Sequence, residues 1–129
     1  MLCLVIAFLA SQTMAEAAKG GRGHWHSISY YSPNGNRTCS GEPYRGNEMT
    51  AAASPIYDLG TELRVRWQGR SVRVVVNDCT GLPHGANAAF DLSYRAAKKL
   101  RILEAGRIYP PDAKAQVVGR DRDLYYRNK

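Results

Sequence analysis

The sequence predicts a small all-β domain, a compact barrel of short strands carrying one helix. Three observations predict it. Glu62 to Asp78 alternates polar and apolar residues on both sides of a Gln68-Gly69 link. Several other short β-type segments are separated by clusters of Gly, Pro and Asn. Only one stretch, Ser93 to about Leu100, repeats apolar residues at helical spacing. Many short strands with a single helix fit a closed barrel better than a layered α/β fold. A chain of 129 residues suits one domain. With 44% hydrophobic and 22% charged residues, wholesale disorder is excluded.

The elements follow in order. Met1 to Ala10 reads MLCLVIAFLA, an apolar core of signal-peptide length, followed by small residues at Ala15, Ala17 and Ala18. We expect a signal peptide over 1–17 and a linker over 18–26 that includes Lys19-Gly20-Gly21-Arg22-Gly23. The alternative is a buried helix of the fold. His26 to Tyr31 reads as a strand, broken by Ser32-Pro33-Asn34-Gly35-Asn36. Thr38 to Asn47 is loop-like, and Met49 to Ala53 is a short strand or a single helical turn.

Glu62 to Trp67 and Ser71 to Asp78 form a β-hairpin. Leu63, Val65 and Trp67 share one face and the arginines the other. The second arm turns apolar throughout, so it is the more buried one. Leu92, Ala96 and Leu100 are spaced by four, with Asp91 or Ser93 available as N-cap and Lys98, Lys99 and Arg101 near the C-terminus. Two further short strands are expected around Arg107-Ile108-Tyr109 and Ala115 to Val118. The domain is expected to span 27–119, leaving 120–129 as a polar, frayed tail.

Charge and cysteine content bound the setting. Eighteen cations against 11 acids give a net charge of +7, which favours anionic partners such as nucleic acid, acidic lipid or an acidic cell-wall polymer. The cations form no run of five or six, so a disordered nucleic-acid arm is not expected. Removing the signal peptide removes Cys3 and leaves Cys39 and Cys79. An even pair in an exported protein points to one disulfide; two buried thiols are the alternative. No Cys/His cluster has metal-ligand spacing, so neither a metal nor another cofactor is expected.

One ordered series of short motifs goes further. It comprises Ser29-Tyr30-Tyr31, Thr38-Cys39-Ser40-Gly41-Glu42-Pro43-Tyr44, Met49-Thr50-Ala51-Ala52, Leu59-Gly60-Thr61, Gly69-Arg70-Ser71-Val72, Val76-Asn77-Asp78 and Phe90-Asp91-Leu92-Ser93. Each is short, but together they resemble, in order and spacing, the double-psi β-barrel domain of the rare lipoprotein A family, related to expansins and family 45 glycoside hydrolases. The resemblance covers about Ser27 to Ile108. It implies a six-stranded double-psi β-barrel with one or two short helices and a sugar-binding groove. It also implies lytic transglycosylase activity on peptidoglycan, in which the muramyl C6 hydroxyl displaces the leaving sugar and leaves a 1,6-anhydro end.

Glycosidic cleavage needs a proton delivered to the leaving oxygen. Because an internal hydroxyl attacks, one carboxyl group can serve first as acid and then as base. Such an acid must arrive protonated, which calls for partial burial among apolar neighbours. Asp91, between Phe90 and Leu92, matches the family's catalytic aspartate; its competing role is to cap the helix. Glu42 matches a second functional acid, which would bond sugar hydroxyls or stabilise the transition state. Tyr30, Tyr31 and Tyr44 offer flat faces to sugar rings, with core packing as the alternative. Asp78 ends a strand and is read mainly as holding a turn, at the edge of the substrate-binding set. Arg70 and Arg73 are candidates for muramyl carboxylates, against a solvated strand face.

Two departures from the family stand out. Its active-site histidine is replaced by Ala53, and its Asn-Asp-Arg-Gly reads Asn77-Asp78-Cys79-Thr80. The second change, with Cys39 in place of a small residue, fits a Cys39–Cys79 bridge near the groove. The expected partner is therefore the peptidoglycan glycan strand, met by a periplasmic or secreted monomer with no nucleic-acid role and no stable membrane insertion once the signal is removed. A noncatalytic, expansin-like wall-binding module is the competing reading. A hydrolase pairing Asp91 with Glu42 or Asp58 is a third.

Overall fold

The computed structural model describes residues 23–31, 36–81 and 89–129. The expected signal peptide, most of the linker and most of the Ser32–Asn36 turn lie outside the described residues. Six strands form a closed barrel: β1 (His24–Tyr31), β2 (Thr50–Ser54), β3 (Thr61–Trp67), β4 (Arg70–Cys79), β5 (Phe90–Ser93) and β6 (Ile108–Arg120). Their order around the barrel is β1-β5-β2-β4-β3-β6, closing from β6 back to β1. Two short helices complete the described elements, α1 (Tyr94–Leu100) and α2 (Arg122–Arg127). The expected double-psi barrel is the fold.

The barrel has two halves of different construction. β3 pairs antiparallel with β4 in unbroken register from Glu62↔Val75 to Trp67↔Arg70, and antiparallel with β6 from Thr61↔Arg120 to Trp67↔Ala113 with one register shift. The β3–β4 link is a two-residue turn with both residues left-handed, Gln68 at φ 48° and Gly69 at φ 74°. That geometry matches the right-handed twist of the flanking strands. The other half contains two parallel pairs, β1 with β5 and β2 with β4, and one antiparallel pair, β2 with β5. The β2–β4 register shifts at Ala51/Ala52 and again at Ala52/Ser54.

The interior is filled by alternate residues from every strand. Ile28, Leu63, Val65, Val74, Val76, Phe90 and Leu92 are fully buried, together with Leu100 and Ile102 from α1 and the loop after it. Ala51, Ala53, Ala113 and Ala115 are buried beside them. A six-stranded barrel is narrow, so small residues must sit opposite the large ones for its layers to interdigitate.

Three expectations need correction. His24 to His26 are not linker: they pair with Ala115 to Ala113 as the start of β1. The two short strands expected near the C-terminus are one thirteen-residue strand, β6, which bridges β1 and β3 and closes the barrel. The tail is not frayed. Asp121 caps α2 by accepting from Leu124 N, and Leu124 is buried. The Asp121 amide also donates to Gly60 O at 2.7 Å. At Gly60 (φ +90°) an added Cβ would lie 2.4 Å from Tyr125 N, so glycine there is what lets α2 approach. The tail reads as polar because a single leucine anchors so short a helix.

Candidate functional site

Asp91 lies at the centre of β5. Its register partners are Ser29 of β1 on one side and Ala52 of β2 on the other. Ala52 in turn pairs with Asp78 of β4. Ser29, Asp91, Ala52 and Asp78 thus form a row across four strands, and residues in register present their side chains to one face. Ala52, small and buried, separates the two aspartates. Two strand spacings put their backbones about 10 Å apart. The flanking residues Phe90 and Leu92 are buried in the core, as strand alternation demands.

Asp91 is half-buried, and Ser29 Oγ donates a short hydrogen bond to its Oδ1. It does not cap α1. Ser93 does, accepting from Ala96 N at 3.3 Å while donating to Glu48 O at 2.7 Å and accepting from Thr50 N at 3.3 Å. The Ser93 hydroxyl is fully buried and tied to three backbone groups, which leaves the Asp91 carboxylate free of any capping duty.

Asp78 is committed to structure. Its Oδ1 accepts from the amides of Cys39 (3.0 Å) and Cys79 (2.8 Å), and its Oδ2 from Tyr31 Oη (3.2 Å). The Cys39–Cys79 disulfide is formed, with Cα atoms 5.8 Å apart. One carboxylate thus anchors both half-cystines and one tyrosine. Burial, followed by the charge of Asp78 and the hydrogen bond to it, pushes the Tyr31 hydroxyl far above the usual tyrosine range. It therefore stays protonated and donates its one proton to Asp78. The Tyr31 ring lies 4.6 Å from that of Tyr44, tilted by 36°.

The three tyrosines differ in availability. Tyr44 is 3% exposed; its hydroxyl donates to Tyr31 O and accepts from Tyr94 N, so it is packed rather than presented. Tyr30 alternates away from Asp91, pairs with Leu92, and donates to Leu103 O at 3.0 Å. Tyr31 shares the Asp91 face, two residues from Ser29. The core-packing alternative holds for Tyr44, while Tyr30 and Tyr31 look alike in sequence because adjacency along a chain hides the alternation of a strand.

The other acids are drawn elsewhere. Glu42 faces Arg127 of α2 at 3.7 Å, and Asp58 faces Lys129 at 2.9 Å. Glu42 also lines a cavity of about 350 Å³ with Asn77, Thr50, Asp121 and Leu124. There the buried Asn77 Oδ1 and Thr50 Oγ1 have no hydrogen-bond partner among the described residues. A larger cavity of about 810 Å³ is lined by Tyr44, Tyr94, Arg45, Arg95 and Lys98. Neither cavity has Asp91 in its wall; Asp91 occupies the sheet face between Tyr31 and Ala52. Ala53, where the family's histidine was expected, is fully buried in the core and presents nothing to that face.

Ser29 was missed as a partner of Asp91, although it stood in the quoted motif. The signal was its spacing of two from Tyr31 on one strand face. No group of three or more acidic, His or Cys side chains with metal-binding geometry occurs among the described residues. Nor is any described helix long and apolar enough to cross a membrane.

Comparisons with known proteins agree with this architecture. Among solved structures, the Streptomyces papain inhibitor is similar with TM-score 0.58 and 23% identity, over 76% of this chain and 94% of that one. An aspartate-to-asparagine variant of the Clavibacter michiganensis expansin, in complex with cellohexaose, is similar with TM-score 0.60 and 24% identity over 78% of this chain. The apo form of that expansin gives TM-score 0.58 and 28% identity, also over 78%. The chain spans about half of the expansin chains, 52% in both cases. No curated protein matches it. A family model described as lytic transglycolase matches residues 25–109, which takes in β1 to β5 and the start of β6. The protein belongs to this double-psi β-barrel lytic transglycolase family.

Proposed function

We propose that the protein is an exported lytic transglycosylase that cleaves the β-1,4 bond of peptidoglycan glycan strands, with Asp91 as the single acid and base. The observation that carries this reading is the freedom of the Asp91 carboxylate. Ser93 caps the helix and Asp78 braces the disulfide, while Asp91 stands half-buried with Ser29 as its one described hydrogen-bond partner.

Ser29 donates to Oδ1, so Oδ2 is the oxygen assigned to deliver a proton. As the bond between C1 and the leaving oxygen breaks, this proton passes to that oxygen. The C6 hydroxyl oxygen of the same muramyl residue bonds to C1, and its proton returns to the Asp91 carboxylate. No water is consumed, and the second carboxylate of a hydrolase has no task. Tyr31, on the same strand face, offers a sugar ring its aromatic edge and a hydroxyl oxygen able to accept, since its proton is held by Asp78. Glu42, paired with Arg127 in the wall of a cavity that does not include Asp91, takes no part in the proton transfer. Family membership and the disulfide both favour action outside the cytoplasm.

The test is product analysis of purified glycan strands by mass spectrometry. Wild type should yield 1,6-anhydro ends. Asp91→Asn should lower their rate by about 10²–10⁴-fold, with a melting temperature near that of wild type. Anhydro ends formed at an unchanged rate by Asp91→Asn would overturn the assignment. A second reading, noncatalytic wall-polysaccharide binding, is favoured by Ala53 in the histidine position and by the expansin-like fold. Retention of wild type on glycan without any new chain ends would establish it.

A further inference from the structure

In a row that does not include Asp91, the register aligns Trp25 of β1, Lys114 of β6, Arg66 of β3 and Ser71 of β4. This second row runs across three strand spacings, about 14 Å. Lys114 and Arg66 stand directly opposite each other, and so do Arg64 and Arg73 on the neighbouring rung. Like charges in register oppose folding. Arg73 is neutralised by Glu62, whose Oε2 lies 2.5 Å from Nη2. Among the described residues, Arg64, Arg66, Arg70 and Lys114 have no such acid. Lys114 Nζ lies instead 5.2 Å from the centre of the Trp25 ring.

These side chains line a shallow cavity of about 530 Å³ with Trp67 and a single acid, Asp112. Trp25 is 43% exposed. Both tryptophans of the chain are therefore in one place, beside four cations. A fold that keeps opposed cations and an exposed indole on one sheet face sacrifices local stability there, and such local conflicts mark binding sites.

We infer that this face is a second binding site, for an acidic polysaccharide. The uncompensated cations hold its charged groups, and the exposed indole of Trp25 stacks on its sugar rings, with the half-buried Trp67 forming part of the wall. The site is independent of the Asp91 row and does not rest on the reaction proposed above. It would hold the protein on a charged polymer while the Asp91 row engages its own substrate.

Tryptophan fluorescence tests this directly, since both indoles lie in the patch. Polygalacturonate is the probe, polyphosphate the anion without sugars, and a neutral cello-oligosaccharide the sugar without charge. Polygalacturonate should give a saturable fluorescence change whose midpoint moves up by about tenfold between low and physiological salt. The double variant Arg66→Gln/Lys114→Gln should weaken binding by about tenfold or more while melting no lower than wild type, because it removes a repulsion. Trp25→Ala should weaken polygalacturonate binding and leave polyphosphate binding unchanged. Asp91→Asn should bind polygalacturonate as wild type does, whether or not it cleaves glycan. Absence of a fluorescence response at low salt would overturn the site. So would full binding by the double variant, a lower melting temperature for it, polyphosphate bound as tightly as polygalacturonate, or cello-oligosaccharide bound as tightly as the acidic polymer.

Discussion

The β3–β4–β6 half of the barrel and the β1–β5–β2–β4 half solve different problems. The first is antiparallel, nearly continuous in register, and alternates buried aliphatic residues with arginines. The second is built around the short strands β2 and β5, with two parallel pairs and a doubly shifted register, and carries aspartates where a regular strand would carry inert surface residues. Long antiparallel ladders supply stability from burial and pairing. Short parallel strands cannot do so alone, and this half relies on tertiary anchors: the disulfide, the buried Ser93 hydroxyl and the carboxylate of Asp78. The comparison teaches that the proposed chemistry sits where the sheet is least regular, since irregularity is what leaves a carboxylate on an otherwise packed face.

The comparison can be broken most directly at the disulfide. The bridge closes a loop with a sequence separation of 40. Replacing both Cys39 and Cys79 by Ser should cost about 4 kcal/mol by the chain-entropy model. Urea unfolding monitored by circular dichroism would measure it. A loss below about 1 kcal/mol would mean that the parallel half holds without its covalent brace.

The antiparallel half should be sensitive to volume instead. Leu63 is fully buried between β4 and β6. Leu63→Ala should cost about 3 kcal/mol from lost transfer energy and a residual cavity, with the proposed glycan cleavage retained once the protein is folded. A loss confined to activity would show that the two halves are not separable in this way.

The smallest effect is a titration. Burial pushes the Tyr57 hydroxyl up to about 12 from its ordinary 10.0, and Tyr31 rises further still. Below pH 10 both states hold these protons, so stability is unaffected. Between about 10 and 12 the unfolded chain loses the Tyr57 proton while the native state keeps it, so native stability falls as pH rises through that window. Absorbance of tyrosinate should show two of the eight tyrosines ionising last, only as the protein unfolds. Uniform ionisation near pH 10 would show that Tyr31 and Tyr57 are not shielded.

Much of this was legible in the chain. The hairpin with its Gln68-Gly69 turn, the helix starting after Ser93, and the core face of Leu63 and Val65 all follow from local periodicity, which survives in any fold that contains them. The ordered motifs identified the barrel and singled out Asp91. Cysteine parity favoured the Cys39–Cys79 bridge. These features are local or compositional, and the sequence by itself determined them.

The tertiary structure decided the rest, because it depends on which strands become neighbours. Ser29 meets Asp91 only because β1 and β5 pair in parallel across 62 positions of sequence. The choice between Asp91 and Ser93 as helix cap was settled by the buried Glu48 carbonyl and Thr50 amide, which reach Ser93. Tyr30 and Tyr31 look equivalent in sequence and face opposite sides of the strand. Glu42 and Asp58 look like free acids until the C-terminal residues fold back onto them, α2 docking beside Gly60. Periodicity fixes the face of a strand, but only strand pairing fixes what that face meets.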